Sequence, residues 1–238
     1  MPSTELTDRP GRGRTYTETV RPAIADAGPT GRVRLDAIAR WLQDAAYSDL
    51  VDAGWERPSP WLVRRLRLRV ERFPVLPERL TLETWCSGVG RAVAERRTSM
   101  RGEQGAHVEA AALWISIDPE TQRPAPLTDA FMAVYAASAD GRRSRTRLRH
   151  AAAPPGGAAR SAFTFRAADL DPVHHVNNAT YWAVLEEELA DRAADEPIDA
   201  EVEHRSATGP GTVEVHADDA GGRWVVADGA VIATFVVA

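Results

Sequence analysis

Four polar residues that could carry acid–base or hydrogen-bonding chemistry lie within eight positions of each other, about three quarters of the way along the chain. They are Asp171, His175, Asn177 and Asn178. A carboxylate can orient or deprotonate water, an imidazole can exchange a proton near neutral pH, and amide side chains can hold a polar ligand. Pro172 interrupts the strand-like run that leads to them, and a helix-like run follows at 182–189. This pattern predicts a polar loop at the entrance of a helix.

The start of that helix could polarise a carbonyl oxygen. Asn178 is of a type that caps helices, because its side chain accepts from the free amides of the first turn. We therefore predict a helix over 179–194, whose amino-terminal amides carry partial positive charge toward the loop. In the alternative reading, Asp171 is only a capping carboxylate, and Asn177 and Asn178 only satisfy the turn.

The elements that must position this loop occur twice. First, a strand at 15–20 precedes a helix from residue 35 to Gly54, and strand candidates follow at 61–70, 79–85, 92–101 and 108–117. Next, a strand at 163–167 precedes the 179–194 helix, and short strands follow at 202–205, 212–217, 223–227 and 230–237. Two such units predict an α+β fold in which each antiparallel sheet wraps one helix and the sheets join edge to edge.

A constant offset of 143 residues aligns the two copies. It pairs Asp26 with Asp169 and Val33 with Val176, but it places Gly28 at the position of Asp171 and Arg32 at that of His175. We therefore expect chemistry in the second copy, with the first supplying wall and pocket. The predicted organisation is a disordered tail over 1–14, a first copy over 15–136, a linker over 137–160 and a second copy over 161–238.

Composition narrows the possible functions. All 29 basic residues are arginine, which removes lysine nucleophile and Schiff-base chemistry. Residues 1–150 carry 24 Arg and 19 Asp or Glu, whereas residues 151–238 carry 5 and 15. Arginines cluster at 64–72 and 142–149, where an acidic macromolecule could dock or where the side chains are simply solvated. One cysteine, no signal-like start and no long apolar run lead us to expect a cytoplasmic protein without a membrane span.

Several site types lack their motifs. The pair His174–His175 has no third ligand at a suitable spacing, so we expect no metal. There is no phosphate loop or dinucleotide fingerprint, and we expect no cofactor. The sequence also lacks a Gly-x-Ser-x-Gly elbow and the motifs of nucleic-acid binders. Cys86 has no base near it in the sequence and is not expected to be a nucleophile.

Residues 169–181 resemble the signature of the plant-type fatty acyl-ACP thioesterases and their bacterial relatives, Asp-Leu-Asp-x-Asn-x-His-Val-Asn-Asn-x-x-Tyr. First-copy segments at 42–46, 61–65, 72–75, 82–85 and 117–123 are similar too. The resemblance implies two tandem hot-dog folds packed as an internal pseudo-dimer. It implies that Asp171 and His175 are catalytic and that Asn177, Asn178 and Tyr181 bind substrate. Three positions depart from the family: Val173 replaces an active-site Asn, and Ala207 and Thr208 align with a Glu-Cys pair.

The resemblance implies hydrolysis of a fatty acyl thioester on acyl carrier protein to free fatty acid. Because the family's Asn and Glu are missing, we expect an Asp171-centred activation of water, with helix amides polarising the carbonyl. Two alternatives remain open: an acyl-CoA or aryl-CoA thioesterase of the same fold, and a non-catalytic protein that binds acyl thioesters. The sequence leaves open the acyl chain length and whether the chain is a monomer or a homodimer.

Overall fold

The computed structural model describes residues 1–55 and 60–238, which form one ten-stranded antiparallel sheet and three α-helices. The elements of the first half are β1 (Thr15–Val20), α1 (Leu35–Asp52), β2 (Trp61–Arg72), β3 (Leu80–Val89), β4 (Val93–Gly102), β5 (His107–Ser116) and α2 (Asp129–Tyr135). Those of the second half are β6 (Ala159–Phe165), α3 (Trp182–Leu189), β7 (Ile198–His204), β8 (Gly211–Ala217), β9 (Gly222–Ala227) and β10 (Ala230–Val237).

The strand order shows the expected duplication. Along the sheet it runs β1-β3-β4-β5-β2-β7-β10-β9-β8-β6, so the second half repeats the first in mirrored order. The halves meet where β2 pairs antiparallel with β7, from Arg65 opposite Glu203 to Val70 opposite Ile198. The prediction of an α+β fold from two sheets joined edge to edge is confirmed.

One hydrophobic core contains residues of both α1 and α3. Apolar residues recur in α1 at helical spacing, and Ile38 and Leu42 are buried with Val184 and Leu185 of α3. Residues from both halves of the sheet pack into the same cluster. Because the halves share a core, a loop of the second copy can lie against a helix of the first.

The 143-residue repeat holds at the level of single hydrogen bonds. The turn Ile24–Asp26 corresponds to Ala167–Asp169, and the bridge between Ala27 and Val33 corresponds to that between Leu170 and Val176. The bond from Gly28 N to Arg32 O matches that from Asp171 N to His175 O, both at 2.8 Å. Both loops therefore have the same backbone and differ in the side chains they carry.

The amino-terminal segment is not the free tail that its composition suggested. Residues 1–14 have no regular secondary structure, but Thr4 is 3% exposed and its amide donates to Glu201 at 2.8 Å. Ser3 Oγ donates to the same carboxylate at 2.9 Å. The segment thus lies along β7 of the second copy, where it satisfies a buried charge.

The connection at 137–160 also lies on the sheet. Val89 N donates to Arg142 O and Ser144 N donates to Val89 O, each at 3.1 Å. Further along, the amides of Arg149 and His150 donate to the Glu203 carboxylate. Residue 159 already belongs to β6, so the strand begins inside the predicted linker. In the described ranges, no helix has the length and apolar character needed to cross a membrane.

Candidate active site

The loop that carries Asp171 is a tight turn between β6 and α3. Asp171 Oδ1 accepts from the amides of Val173 at 3.0 Å and His175 at 3.1 Å. These bonds hold the carboxylate by one oxygen, while Oδ2 accepts no hydrogen bond from the described residues. Asp171 therefore does stabilise its own loop, and it keeps one oxygen available for a ligand.

Asp171 lines a cleft of about 340 Å³ that lies mostly in the first copy. All but two of its lining residues belong to the first half of the chain, and the two exceptions are Asp171 and Asn178. The wall is formed by Gln43, Asp44, Ala46, Tyr47, Leu50, Pro60, Trp61, Cys86, Ala94, Glu95, Arg96, Trp114 and Phe131. The second copy thus contributes a carboxylate and an amide to a pocket built by α1, β3, β4 and β5.

The start of α3 differs from the prediction. The helix begins at Trp182, after a turn in which Asn177 Oδ1 accepts from Ala179 N and Asn177 O accepts from Thr180 N, both at 2.9 Å. Neither asparagine caps α3: its N-cap position is Tyr181, which makes no side-chain cap hydrogen bond, and Asn177 closes the turn before the helix. Asn178 lines the cleft. Its backbone amide donates to no group of the described residues.

The other predicted site residues lie outside the cleft lining. His175 is exposed, and Asn177 is engaged in the turn. Tyr181 is 2% exposed and packs in the core, with ring centroids 5.0 Å from Phe165 and 4.9 Å from His204. Burial raises the pKa of Tyr181 to about 12. The structure therefore places Asp171 and Asn178 together and leaves Tyr181 as a core residue instead of a substrate contact.

The positions that depart from the family signature carry no functional side chain in the cleft. Val173 is 61% exposed, and Ala207 is exposed as well. Thr208 lies beside the loop, because its carbonyl accepts from Val176 N at 2.9 Å. Thr208 therefore lies beside the loop that carries Asp171, and neither Val173 nor Ala207 supplies a carboxylate or an amide side chain there.

Charged residues that the sequence did not single out line the cleft floor. Arg96 is 8% exposed; its guanidinium pairs with the buried Asp49 at 2.7 Å and donates to Thr84 at 3.2 Å. Glu95 accepts from Ser87 at 3.1 Å, and burial raises its pKa. The run of charged residues in β4 was the available sequence signal, but it does not reveal which of these side chains reaches the cleft.

Cys86 is buried in the cleft wall as a thiol. Burial raises its pKa to about 11, outweighing the nearby Arg96. Since the thiolate is the nucleophilic form, this thiol is unsuited to attack. The described residues also contain no cluster of three or more His, Cys, Asp or Glu side chains that could hold a metal ion.

The equivalent site in the other copy is closed by an ion pair. Arg32, which corresponds to His175, is 1% exposed and binds the carboxylate of Glu186 on α3. Glu186 also accepts from Leu35 N at 3.0 Å, and Arg32 donates to Leu189 O at 2.9 Å. The Asp171 loop of the second copy thus borders a cleft against α1, whereas the corresponding position of the first copy is filled by side chains against α3.

Comparison with known proteins agrees with this architecture. The acyl-ACP thioesterase N-terminal domain matches residues 13–135, and the acyl-ACP thioesterase C-terminal domain matches residues 153–223. The chain belongs to the acyl-ACP thioesterase family. An uncharacterized protein of Mycobacterium tuberculosis is 30% identical over 203 residues, which cover 84% of this chain and 81% of that protein.

Two solved structures show the fold of the family. An acyl-ACP thioesterase from Bacteroides thetaiotaomicron superposes with a TM-score of 0.77 at 17% identity, covering 94% of this chain and 96% of that one. The 12:0-ACP thioesterase from Umbellularia californica gives 0.70 at 19% identity, covering 95% and 97%. The tandem hot-dog fold expected from the signature is confirmed.

Proposed function

We propose that this protein hydrolyses fatty acyl thioesters of acyl carrier protein, with the Asp171 carboxylate as the group that activates water. The observation that carries the proposal is the placement of Asp171 on the lining of a cleft of about 340 Å³ to which both copies contribute. One of its oxygens is held by two loop amides and the other is unoccupied by the described residues. Family membership supports thioester hydrolysis as the reaction.

The chemistry follows from the groups at the second-copy end of the cleft. Asp171 accepts a proton from water, and the resulting hydroxide attacks the thioester carbonyl carbon. The negative charge on the carbonyl oxygen is stabilised by Asn178, whose backbone amide has no partner in the described residues. The tetrahedral intermediate then expels the thiolate, which takes the proton from Asp171. The carboxylate is restored and the free acid leaves.

His175 was expected to join Asp171 in catalysis, and its placement assigns it a lesser role. Its backbone amide helps to hold the Asp171 carboxylate, while its imidazole is exposed and does not line the cleft. We therefore propose an Asp171-centred mechanism in which the backbone of His175, rather than its ring, positions the catalytic oxygen.

The carrier protein is proposed to dock on the connection between the copies. Arg143, Arg145 and Arg147 are exposed and have no ion-pair partner within residues 1–55 and 60–238. The same segment passes the cleft, because Arg142 lies 4.0 Å from the Glu95 carboxylate of its wall. Most arginines of 64–72 are engaged within the protein; Arg65, for example, pairs with Glu203 at 2.7 Å. The docking surface is thus narrower than the sequence suggested.

We place this activity in fatty acid synthesis in the cytoplasm, in line with a single buried cysteine that cannot form an internal disulfide.

The proposed hydrolase function is tested by a hydrolysis panel in which the same acyl groups are presented on acyl carrier protein, on coenzyme A and on pantetheine. We expect kcat/KM to be highest for the carrier-bound thioester. Higher kcat/KM on coenzyme A would assign the protein to the acyl-CoA thioesterases, and binding without product release would make it a binding protein.

A further inference from the structure

A second, smaller cavity continues the cleft into the first copy. It measures about 20 Å³ and lies beneath α1, against β2, β4 and β5. Four residues line both spaces: Gln43, Arg96, Trp114 and Asn178. Since roughly 10–15 Å³ suffices to hold one water molecule, the inner cavity has room for a single oxygen substituent.

Two nitrogen atoms on the wall of this inner cavity are buried without hydrogen-bond partners among the described residues. They are Nε2 of His204, on β7, and Nε1 of Trp114, on β5. His204 is 6% exposed, and Trp114 Nε1 belongs to a side chain that also faces the main cleft. Ten side-chain atoms of the described residues are buried without partners, and only these two belong to residues that line the cleft or the inner cavity. Because an unpartnered buried polar group destabilises the protein, a polar ligand group placed between them would be favoured.

The imidazole of His204 is neutral under ordinary conditions. Burial lowers its pKa to about 4, and the positive charge of Arg64 acts in the same direction. A neutral imidazole nitrogen is either a donor or an acceptor, depending on the tautomer, whereas the indole nitrogen is only a donor. A hydroxyl group suits both tautomers, because it can accept from Trp114 and can either donate to or accept from His204.

Polar side chains are interspersed with the apolar wall of the main cleft. Ligand sites commonly enclose about 300–1,000 Å³ and are mainly apolar. This cleft lies at the low end of that range, and seven of its fifteen lining residues are polar or charged, counting Tyr47. A long saturated chain would displace water from these groups without replacing its hydrogen bonds.

We propose that the acyl group accepted by this cleft carries a hydroxyl group, which enters the inner cavity and binds His204 and Trp114. The inference rests on the proposed thioesterase function and adds the substrate class, a hydroxyacyl thioester. Recognition uses one side chain from each copy, because Trp114 belongs to the first and His204 to the second. The tandem arrangement is then needed for specificity as well as for catalysis.

Equilibrium binding of acyl-pantetheine amides tests this without requiring turnover. In these analogues nitrogen replaces the thioester sulfur, so they are not hydrolysed. Saturated and hydroxylated amides of equal chain length would be titrated calorimetrically, with the hydroxyl placed at successive carbons. We expect at least one hydroxylated analogue to bind about 10-fold more tightly than its saturated partner, the effect of hydrogen bonds to buried groups.

Three variants assign the preference to the inner cavity. His204→Phe and Trp114→Phe should each reduce the binding ratio between the hydroxylated and saturated amides toward one. The matched control is His216→Phe, which removes a similarly buried histidine that is paired with Glu214 at 2.9 Å and does not line the cleft. It should preserve the wild-type ratio. Thermal unfolding of each variant verifies that it is folded.

Two results would overturn the inference. One is wild-type binding in which no hydroxyl position improves affinity over the saturated amide. The other is a preference that survives in both His204→Phe and Trp114→Phe. Either result leaves the hydrolase proposal intact, because that proposal is judged by thioester turnover and not by these amides.

Discussion

At the scale of single residues, the functional assignment depends on the Asp171 carboxylate. The proposed mechanism gives the His175 ring no part in the reaction, so a His175 variant tests it. We expect His175→Gln to keep kcat within about tenfold of the wild type, since the ring is exposed and the hydrogen bonds between His175 and Asp171 use the backbone of His175. Steady-state hydrolysis of acyl-ACP measures this. A loss of several hundredfold would show that the imidazole itself takes part in the reaction.

Another residue-scale prediction concerns His204 and acid. In the unfolded chain its pKa is near 6.5, while in the folded protein burial lowers it to about 4. Between these values the unfolded state binds more protons, so stability is complete above pH 6.5 and falls as the pH drops toward 4. We expect the drop in unfolding free energy from pH 7.5 to pH 5 to be smaller in His204→Phe by roughly 2 kcal/mol.

Denaturant melts at the two pH values measure that difference, with His216→Phe as the control for loss of a buried histidine. An unchanged pH dependence in His204→Phe would mean that the ring is already charged or hydrated in the folded protein. The inner cavity would then lack the neutral imidazole on which its chemistry depends.

Some residues of the candidate site could be predicted from the sequence, and others could not. Asp171 was predicted because its loop resembles the family signature, and the structure places it on the cleft lining. Asn177 and Asn178 are both good capping residues, and the sequence pattern cannot tell which of two adjacent asparagines closes the turn. Trp114 and His204 were not singled out, because each lies in an ordinary strand and they approach the same cavity only through the pairing of the two sheets.

At the scale of elements, the ion pair that fills the first copy's counterpart of the Asp171 loop allows a direct prediction. Arg32 and Glu186 form a buried ion pair whose side chains are 2% and 8% exposed. Removing one partner leaves a buried charge alone, so Glu186→Leu should lower the unfolding free energy by about 3 kcal/mol or more. The double variant Arg32→Met with Glu186→Leu should recover much of that loss. Chemical denaturation measures both, and equal effects of single and double variants would contradict this role.

The amino-terminal segment supports a second element-scale prediction. Burial alone would raise the pKa of Glu201, but hydrogen bonds from His150, Thr4 and Ser3 outweigh it and lower the pKa to about 2. Deleting residues 1–7 removes two of those three residues from a buried carboxylate. We expect unfolding free energy at pH 7 to fall by about 2–4 kcal/mol.

The Glu201 and His204 contributions are both lost in acid, but over different pH ranges. The Glu201 carboxylate stabilises the folded protein above pH 4.5 and loses this contribution as the pH falls toward 2. The deletion should therefore cost stability at neutral pH and flatten the acid limb below pH 4.5. Denaturant unfolding of the full chain and of the deletion variant, each at neutral pH and below pH 4.5, measures both effects. Unaltered stability at neutral pH would mean that the segment does not support Glu201.

Elements were well predicted where the pattern is local. The strand at 15–20, the first helix and the later strands follow from apolar periodicity. The tail and the linker were not, because Pro-, Gly- and Arg-rich composition says nothing about partners as distant as Glu201 and Glu203. The short helix α2 was also missed, since its seven residues offer less than two full periods.

At the scale of the whole molecule, the tandem fold repeats one backbone with different side chains. The offset of 143 residues predicted the repeat correctly, down to the paired turns and bridges. Gly28 and Arg32 stand in the first copy where the second has Asp171 and His175, so we continue to propose that the chemistry belongs to the second copy. Symmetry of the backbone could be deduced from the sequence, but the identity of the wall residues required the fold.

Carrier recognition is also a property of the whole molecule. Replacing Arg143, Arg145 and Arg147 by Glu should lower kcat/KM for acyl-ACP by about tenfold at low salt, because exposed charge mainly changes the rate of encounter. Hydrolysis of a neutral acyl-N-acetylcysteamine thioester should stay unchanged and serves as the internal control. Equal losses on both substrates would show that the substitutions damage the cleft rather than a docking surface.

The most direct test of the account is turnover by Asp171→Asn, which keeps the size of the side chain and removes its ability to accept a proton. Asp191→Asn, an exposed position after α3, is the matched control. With acyl-ACP as substrate, we predict that kcat falls by about 100-fold or more in Asp171→Asn and is unchanged in Asp191→Asn. Wild-type turnover in a folded Asp171→Asn protein would contradict the claim that this carboxylate activates water.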